Sequence, residues 1–416
     1  MNPTFLINTA FFFSIFVTFD SYSTAFFIPG AKIALTPPSV NANYHSSTRE
    51  RPRSRNRPPT TTTMSSSGDS STDPDPDPRV GTDTKPLVRN FRSAAGLSSV
   101  YRCASTDDLG GLFTDASDGP VRAPPASSPE AILLSKIGLV LDLRSPSERD
   151  ETRARRWTTR APGGAFTIVR HERRDDGRPW SPPVLHYRDN RERAVFRIDV
   201  LSPKRLFRYC ARNWIVAPAD RARYAWNAVF DSRALHGMMM DALNGRGLVG
   251  LYEAIIETGG DEIFHSLRAI TEYFEGCGCG AGGAGGVVVH CVQGKDRTGL
   301  VIMLCQSIVG VDDGIIVADY HRSDRMGSSG GNVEGSAAVD AMMKTEGVQR
   351  GKLSREIFEG APMEAMVVTL GYIREKYGSI FGYLDSIGFD AEWRARFLTV
   401  QRQPCGGERV IPLSKL

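Results

Sequence analysis

Three valines, Val287 to Val289, lead into His290-Cys291-Val292-Gln293-Gly294-Lys295-Asp296-Arg297-Thr298-Gly299, and the chain turns apolar again at Leu300. A short apolar run of this kind reads as a buried strand, and the largely apolar stretch 300–308 reads as a central, buried helix. A strand that passes through a tight loop into a helix leaves the first helical N–H groups unpaired. They point into the loop, where the helix dipole favours negative charge. The unit predicts an α/β fold, with a central, mostly parallel sheet and helices on both faces.

Cys291 opens the loop and Arg297 closes it six positions later. Inward N–H groups and a guanidinium stabilise a thiolate and also hold a phosphate dianion over it. Arginine suits this task because its fork grips two oxygens at once, which lysine does poorly. Gly294 allows a positive φ or a close backbone approach. Thr298 can place a hydroxyl near the sulfur. A lone cysteine at a strand end is ordinarily a small core residue. Here several residue types fall at the spacing that attack of sulfur on phosphorus requires. Val292, Gln293, Gly294 and Lys295 then form the binding wall, and His290 orients Cys291 through the backbone. The leaving oxygen needs a proton. Asp296, inside the loop, is the first candidate acid. Asp142, ending an apolar strand over 139–143, is the second, although capping or pairing with Arg144 explains it nearly as well. Lys295 is either a positive charge at the pocket rim or a solvated loop lysine.

The segment from His290-Cys291 to Arg297-Thr298-Gly299 resembles the signature loop of the cysteine-dependent protein tyrosine phosphatases. Its Gly-Lys-Asp-Arg-Thr-Gly form is similar to an atypical tyrosine/serine branch of that family. Further segments resemble the same branch: Asn90-Phe91-Arg92 with Gly96; Tyr101-Arg102-Cys103-Ala104-Ser105; Asp142-Leu143-Arg144-Ser145 with Glu148; Gly310-Val311-Asp312-Asp313; Asp319-Tyr320; and Tyr377-Gly378-Ser379 with Gly382-Tyr383-Leu384. Ser93 stands where the branch has an aspartate, and Cys103 where it has a serine. The resemblance implies a phosphomonoester hydrolase working through a cysteinyl-phosphate, with Cys291, Arg297, Thr298 and an aspartate as its machinery. It implies phosphorylated protein substrates, of the tyrosine class or of both side-chain classes, and no cofactor or metal. A phosphoinositide phosphatase and an inactive phosphate-binding module are the competing readings. Rhodanese-like sulfur transfer is disfavoured, because it does not require arginine at the sixth position.

The 416 residues carry a net charge of +4 and seven cysteines without paired spacing, which argues against a disulfide framework and for no nucleic-acid partner. Residues 1–35 hold a broken apolar run, and behind it residues 46–63 are basic and hydroxyl-rich, an order that fits a signal or organelle-targeting segment, with a cytoplasmic enzyme as the alternative. Residues 36–85 are too rich in Pro, Ser and Thr to bury a core and read as a linker. The catalytic domain is expected over 86–402, with a tail from 403 to 416. Residues 151–246 contain 20 Lys and Arg against 10 Asp and Glu. The block 149–247 therefore reads as a basic insertion that decorates the domain or forms a small subdomain. It could meet an acidic membrane surface or a phosphorylated substrate, although a solvated face is the commoner meaning of such charge. Within it, 203–214 and 218–230 look helical, each opening on a proline. Further helices are expected at 248–257, 261–275, 364–377, 379–386 and 391–400. Cys277 and Cys279 form a lone pair without the second pair that zinc would need.

Overall fold

The valine run becomes the centre of a six-stranded sheet in the computed structural model, which describes residues 86–113, 123–173, 181, 192–276, 285–324 and 352–402. The expected targeting segment, linker and tail lie outside these residues, as do Cys277 and Cys279. The first half of the chain lays down β1 (Arg92–Ser93), β2 (Val100–Cys103), α1 (Pro129–Lys136), β3 (Ile137–Asp142), α2 (Glu151–Arg160), β4 (Phe166–Arg170) and β5 (Arg193–Arg197). Four helices follow: α3 (Pro203–Asn213), α4 (Pro218–Phe230), α5 (Ser232–Thr258) and α6 (Gly260–Gly276). After β6 (Gly286–His290) come α7 (Asp296–Ile308), α8 (Asp313–His321), α9 (Arg355–Phe358), α10 (Met363–Tyr377), α11 (Ile380–Ser386) and α12 (Ala391–Arg402).

The strand order is β1-β2-β6-β3-β5-β4, and every pair is parallel except β1 with β2. Both β3 and β6 are buried at every position, as strands covered on two faces must be. Their side chains alternate between two cores. Val287, Val289, Leu139 and Leu141 pack with α5, α6 and α7, whereas Val288, Ile137 and Val140 pack with Leu133, Trp157 and Phe166. Each such fully buried aliphatic side chain stabilises the fold by roughly 1.5–3 kcal/mol relative to exposure. Parallel register also lines up the strand ends. Cys103, His290, Asp142, Arg197 and Arg170 form one row across the sheet, so the loops that follow gather at one edge. Open α/β sheets bind ligands at that carboxyl edge.

The expected helices at 203–214 and 218–230 form, each with its proline in the first turn. α5 begins earlier than the expected 248, because residues from Ser232 onward add a helical stretch ahead of a break at Gly247, where φ is +61°. The block 149–247 is not a decoration. It contributes α2, β4, β5 and the helices up to most of α5, including two of the six strands of the sheet. β5 escaped notice because arginines stand at both ends of it. The Arg193 guanidinium is buried, stacks 3.9 Å from the Phe166 ring centre, and donates to the carbonyls of Ile137, Leu133 and Leu134 at 2.7–2.9 Å. Satisfied in this way, a charged residue sits inside a strand that polarity alone would reject.

Candidate active site

The loop after β6 is shaped from outside. The Val292 carbonyl accepts from the Ser105 N–H at 2.9 Å, and Asn90 Nδ2 donates to the carbonyls of Gln293 (3.1 Å) and Gly294 (2.9 Å). Arg102 Nη2 also donates to the Gly294 carbonyl at 2.9 Å. A trans peptide points its N–H opposite its C=O. Holding these three carbonyls outward therefore turns the N–H groups of Gln293, Gly294 and Lys295 toward the loop interior. The start of α7 adds its own N-terminal N–H groups, and the side chain of its N-cap residue, Lys295, does not cap them. Gly294 is required twice over. Its φ is +66°, and a Cβ there would stand 2.1 Å from the Cys103 carbonyl oxygen.

The short motifs read at sequence level meet behind this loop. Asp319 accepts from Arg92 Nε at 3.2 Å and from Arg102 Nη1 at 3.0 Å, so one carboxylate aligns the two arginines that brace Asn90 and Gly294. Arg92 Nη1 also donates to Asn90 Oδ1. The Tyr320 hydroxyl lies 2.6 Å from that of Tyr252, which donates to Asp296 Oδ1 at 2.7 Å.

Cys291 is buried at the mouth of β6, and Arg297 reaches across the same loop. The two Nη atoms of Arg297 meet the two carboxylate oxygens of Glu148 at 2.6 and 2.7 Å, and Nη1 lies 3.3 Å from the Leu143 carbonyl. Burial works against the Arg297 charge, but Glu148 outweighs it and holds the guanidinium above its ordinary pKa, with a Cys291 thiolate acting in the same direction. Glu148 is itself fixed by accepting from the Ser145 N–H at 2.8 Å and hydroxyl at 3.0 Å. A bidentate carboxylate of this kind sets the plane of the arginine fork. Thr298 is fully buried, and its hydroxyl has no hydrogen-bond partner among the described residues.

His290 is buried beside Cys291. Its Nδ1 lies 3.3 Å from the Cys291 carbonyl, and its Nε2 lies 3.9 Å from Asp142 Oδ1. Burial pushes the imidazole down to about 4, so it is neutral near pH 7. Two expectations need correction. Asp142 is buried and accepts from Arg144 Nε at 2.8 Å and Arg149 Nε at 3.0 Å. Burial would raise its pKa, but Arg144, His290 and Arg149 together hold the carboxyl well below the usual range. A group so firmly ionised has no proton to give, and Asp142 acts as a charge anchor. Lys295 does not reach the pocket rim. It is buried, and its ammonium donates to the carbonyls of Phe358 (2.6 Å), Gly360 (2.8 Å) and Glu359 (3.3 Å). Its charge is spent on tying the loop to the end of α9.

One carboxylate was missed. Asp199 follows β5 at the carboxyl edge of the sheet, next to β3. Its backbone carbonyl accepts from Arg205 Nη2 at 2.8 Å, while its Oδ1 is buried without a partner among the described residues. Burial raises its pKa, only partly countered by Arg205 and Arg297. Nothing in the flanking Ile198 and Val200 distinguishes it from a turn aspartate. Only its position after a strand that the sequence concealed sets it apart. At the same edge, a groove of about 1080 Å³ between α2 and β4 is lined by Arg155, Arg156, Arg160, Arg170 and Arg197, with Glu151 as its acidic member.

The sequence profile of the tyrosine phosphatase family matches residues 125–399. The triple specificity protein phosphatase PtpB of Mycobacterium tuberculosis is 36% identical over 109 residues, which cover 24% of this chain and 38% of that relative. The chain thus matches less than half the length of that protein.

Proposed function

The chain belongs to the tyrosine phosphatase family, and from that premise we propose that it hydrolyses phosphomonoesters on protein side chains, phosphotyrosine foremost, through a cysteinyl-phosphate. The observation that carries this reading is the inward turn of the loop amides around Cys291, with Arg297 held across them by Glu148. That cradle fits the equatorial oxygens of a phosphoryl group and the charge that develops on them. The Cys291 thiolate attacks phosphorus in line, a sulfur–phosphorus bond forms, and the ester oxygen departs with a proton from a carboxylic acid. Water then attacks phosphorus, gives its proton to the resulting carboxylate, and releases inorganic phosphate and the thiolate. Thr298, whose hydroxyl has no other partner among the described residues, donates to the departing sulfur.

Asp199 is the acid that the geometry favours. Its raised pKa keeps a proton available, its Oδ1 is uncommitted, and Arg297 lies close enough to influence its charge. Asp296 is the second candidate. Its carboxylate is oriented by the Tyr252 hydroxyl and has Lys295 Nζ 3.6 Å away. Phosphoinositide hydrolysis is the second reading of the substrate. It is favoured by the arginine-lined groove, which would suit an acidic headgroup or membrane surface.

One set of assays tests all of this. The full chain is offered phosphotyrosine, phosphoserine and phosphothreonine peptides and phosphoinositide vesicles, with Cys291→Ser as control. Turnover of phosphotyrosine that vanishes in Cys291→Ser is expected, and turnover that persists in the variant would sink the mechanism. Aryl phosphates of graded leaving-group pKa then separate the acids. Asp199→Asn should lose most rate on the poorest leaving groups, by about 100-fold or more, and Asp296→Asn and Asp142→Asn should show no such dependence.

A further inference from the structure

Away from Cys291, two histidines and an aspartate converge where β4 ends and α6 begins. His171 follows the last residue of β4, and its N–H donates to the Arg197 carbonyl at 3.0 Å, which continues the ladder and fixes its backbone. Asp261 and His265 sit four residues apart on α6, so their side chains share a face. Asp261 Oδ2 lies 3.1 Å from His171 Nε2, and Oδ1 lies 3.6 Å from His265 Nε2. One ligand atom from each residue falls within 4.8 Å of the others. The imidazoles are buried, with ring centres 4.9 Å apart, while the Asp261 side chain is 38% exposed.

We propose that His171, Asp261 and His265 form a binding site for a divalent transition metal, zinc by ligand type, which clips the end of β4 to the start of α6. Tetrahedral zinc with bonds of about 2.0–2.1 Å spaces its ligand atoms by roughly 3.3 Å. The two nitrogen–oxygen separations, one to each oxygen of Asp261, lie near that spacing, and the ligand atoms start within 4.8 Å of one another. Two imidazoles with one carboxylate suit zinc, cobalt or nickel and not calcium or magnesium, which take oxygen ligands. The exposed side of Asp261 leaves a fourth position for water. Without metal, the same three groups make an ordinary hydrogen-bonded pair with a neighbouring ring, and that is the competing account. Sequence spacing could not reveal the site, because 90 residues separate His171 from Asp261. The position also matters to the proposed reaction. Glu262, the next residue, accepts from Arg205 Nη1 at 2.6 Å, and Arg205 holds the Asp199 carbonyl.

Cobalt(II) titration of the full chain carrying Cys291→Ser tests the site, since that substitution removes the reactive thiolate as a competing ligand. The expected result is one cobalt per chain, with the visible bands of a tetrahedral nitrogen/oxygen site and no thiolate-to-cobalt charge-transfer band. Adding His265→Ala or His171→Gln should weaken binding by tenfold or more, and zinc should raise the melting temperature of the Cys291→Ser protein but not of these variants. Should His265→Ala fail to fold, His171→Gln and, at the exposed side of the cluster, Asp261→Asn decide the matter. A charge-transfer band, which would place the metal on cysteine, overturns the proposal. So does unchanged affinity in the histidine and aspartate variants, or no binding at all.

Discussion

At the residue scale, the proposed site depends on partners that hold its chemistry in place. Glu148 is the plainest case. Its two oxygens fix the Arg297 fork beside Cys291. Glu148→Gln keeps the shape but removes the charge-assisted pair, which is worth about 1.5–3 kcal/mol. We expect kcat/KM for an aryl phosphate to fall about 10- to 100-fold, with weaker inhibition by inorganic phosphate. An unchanged value would mean that Arg297 needs no such brace. His290 supplies a pH signature. Burial holds its imidazole near 4 in the folded protein, against about 6.5 when exposed. Below about pH 6.5 the unfolded chain takes up a proton that the folded chain refuses. Stability is therefore lost as pH falls from about 6.5 to 4, by up to about 3 kcal/mol. Urea midpoints measured at pH 7 and pH 5 should converge in His290→Gln relative to the parent. Much of this scale was legible in the sequence. Cys291, Arg297, Thr298 and Gly294 stand together in one loop, and their spacing is itself the geometry. Asp199 was not legible, because burial and not its neighbours in the chain sets its character. Asp142 misled because an aspartate ending a strand looks the same whether it faces a pocket or, as here, a pair of arginines.

At the scale of elements, β6, its loop and α7 form the unit that the valine run predicted, and α9 locks it from the side. The Lys295 ammonium, donating to three successive carbonyls, makes that lock. Lys295→Met would leave those carbonyls unpaired and should cost about 1–3 kcal/mol of stability. It should leave the ratio of activity on phosphoinositide vesicles to activity on an aryl phosphate where it was. A selective loss on phosphoinositides would instead restore Lys295 to the substrate-facing role first assigned to it. β4 and β5 were invisible for a different reason. The arginines of β5 break the apolar pattern, yet each finds partners: Arg193 in four carbonyls, and Arg197 in the Glu151 carboxylate at 2.8–2.9 Å. A pattern-based reading assumes that charge lies outside, and it fails where the fold supplies a buried counterpart.

At the scale of the whole molecule, the sheet order brings distant segments to the loop. Asn90 holds carbonyls more than 200 positions further along the chain. Asn90→Ala should therefore release the Gln293 carbonyl and leave the Gly294 carbonyl to Arg102 alone. We expect kcat/KM to fall at least tenfold, with a melting temperature several degrees lower. A variant with full activity would show that the loop keeps its shape unaided. The fold class was legible because a strand, a phosphate-shaped loop and a buried helix admit few architectures. The integration of 149–247 was not, since its strands carry their meaning only once paired with β3.

The bracing of the loop by Asn90, Arg102 and Asp319 also bears on when the protein can become reactive. Cys291 leaves the ribosome 28 positions ahead of Asp319, and until Asp319 arrives the two arginines have no carboxylate to align them. Contacts so far apart in sequence form late in folding, because the chain between them must first give up its freedom. A nascent or half-folded chain thus carries its thiol without the amide cradle proposed to hold phosphate over it. Reactivity toward an alkylating agent should then appear in step with the last cooperative stage of refolding, so that an incomplete molecule passes through synthesis with its nucleophile still quiet.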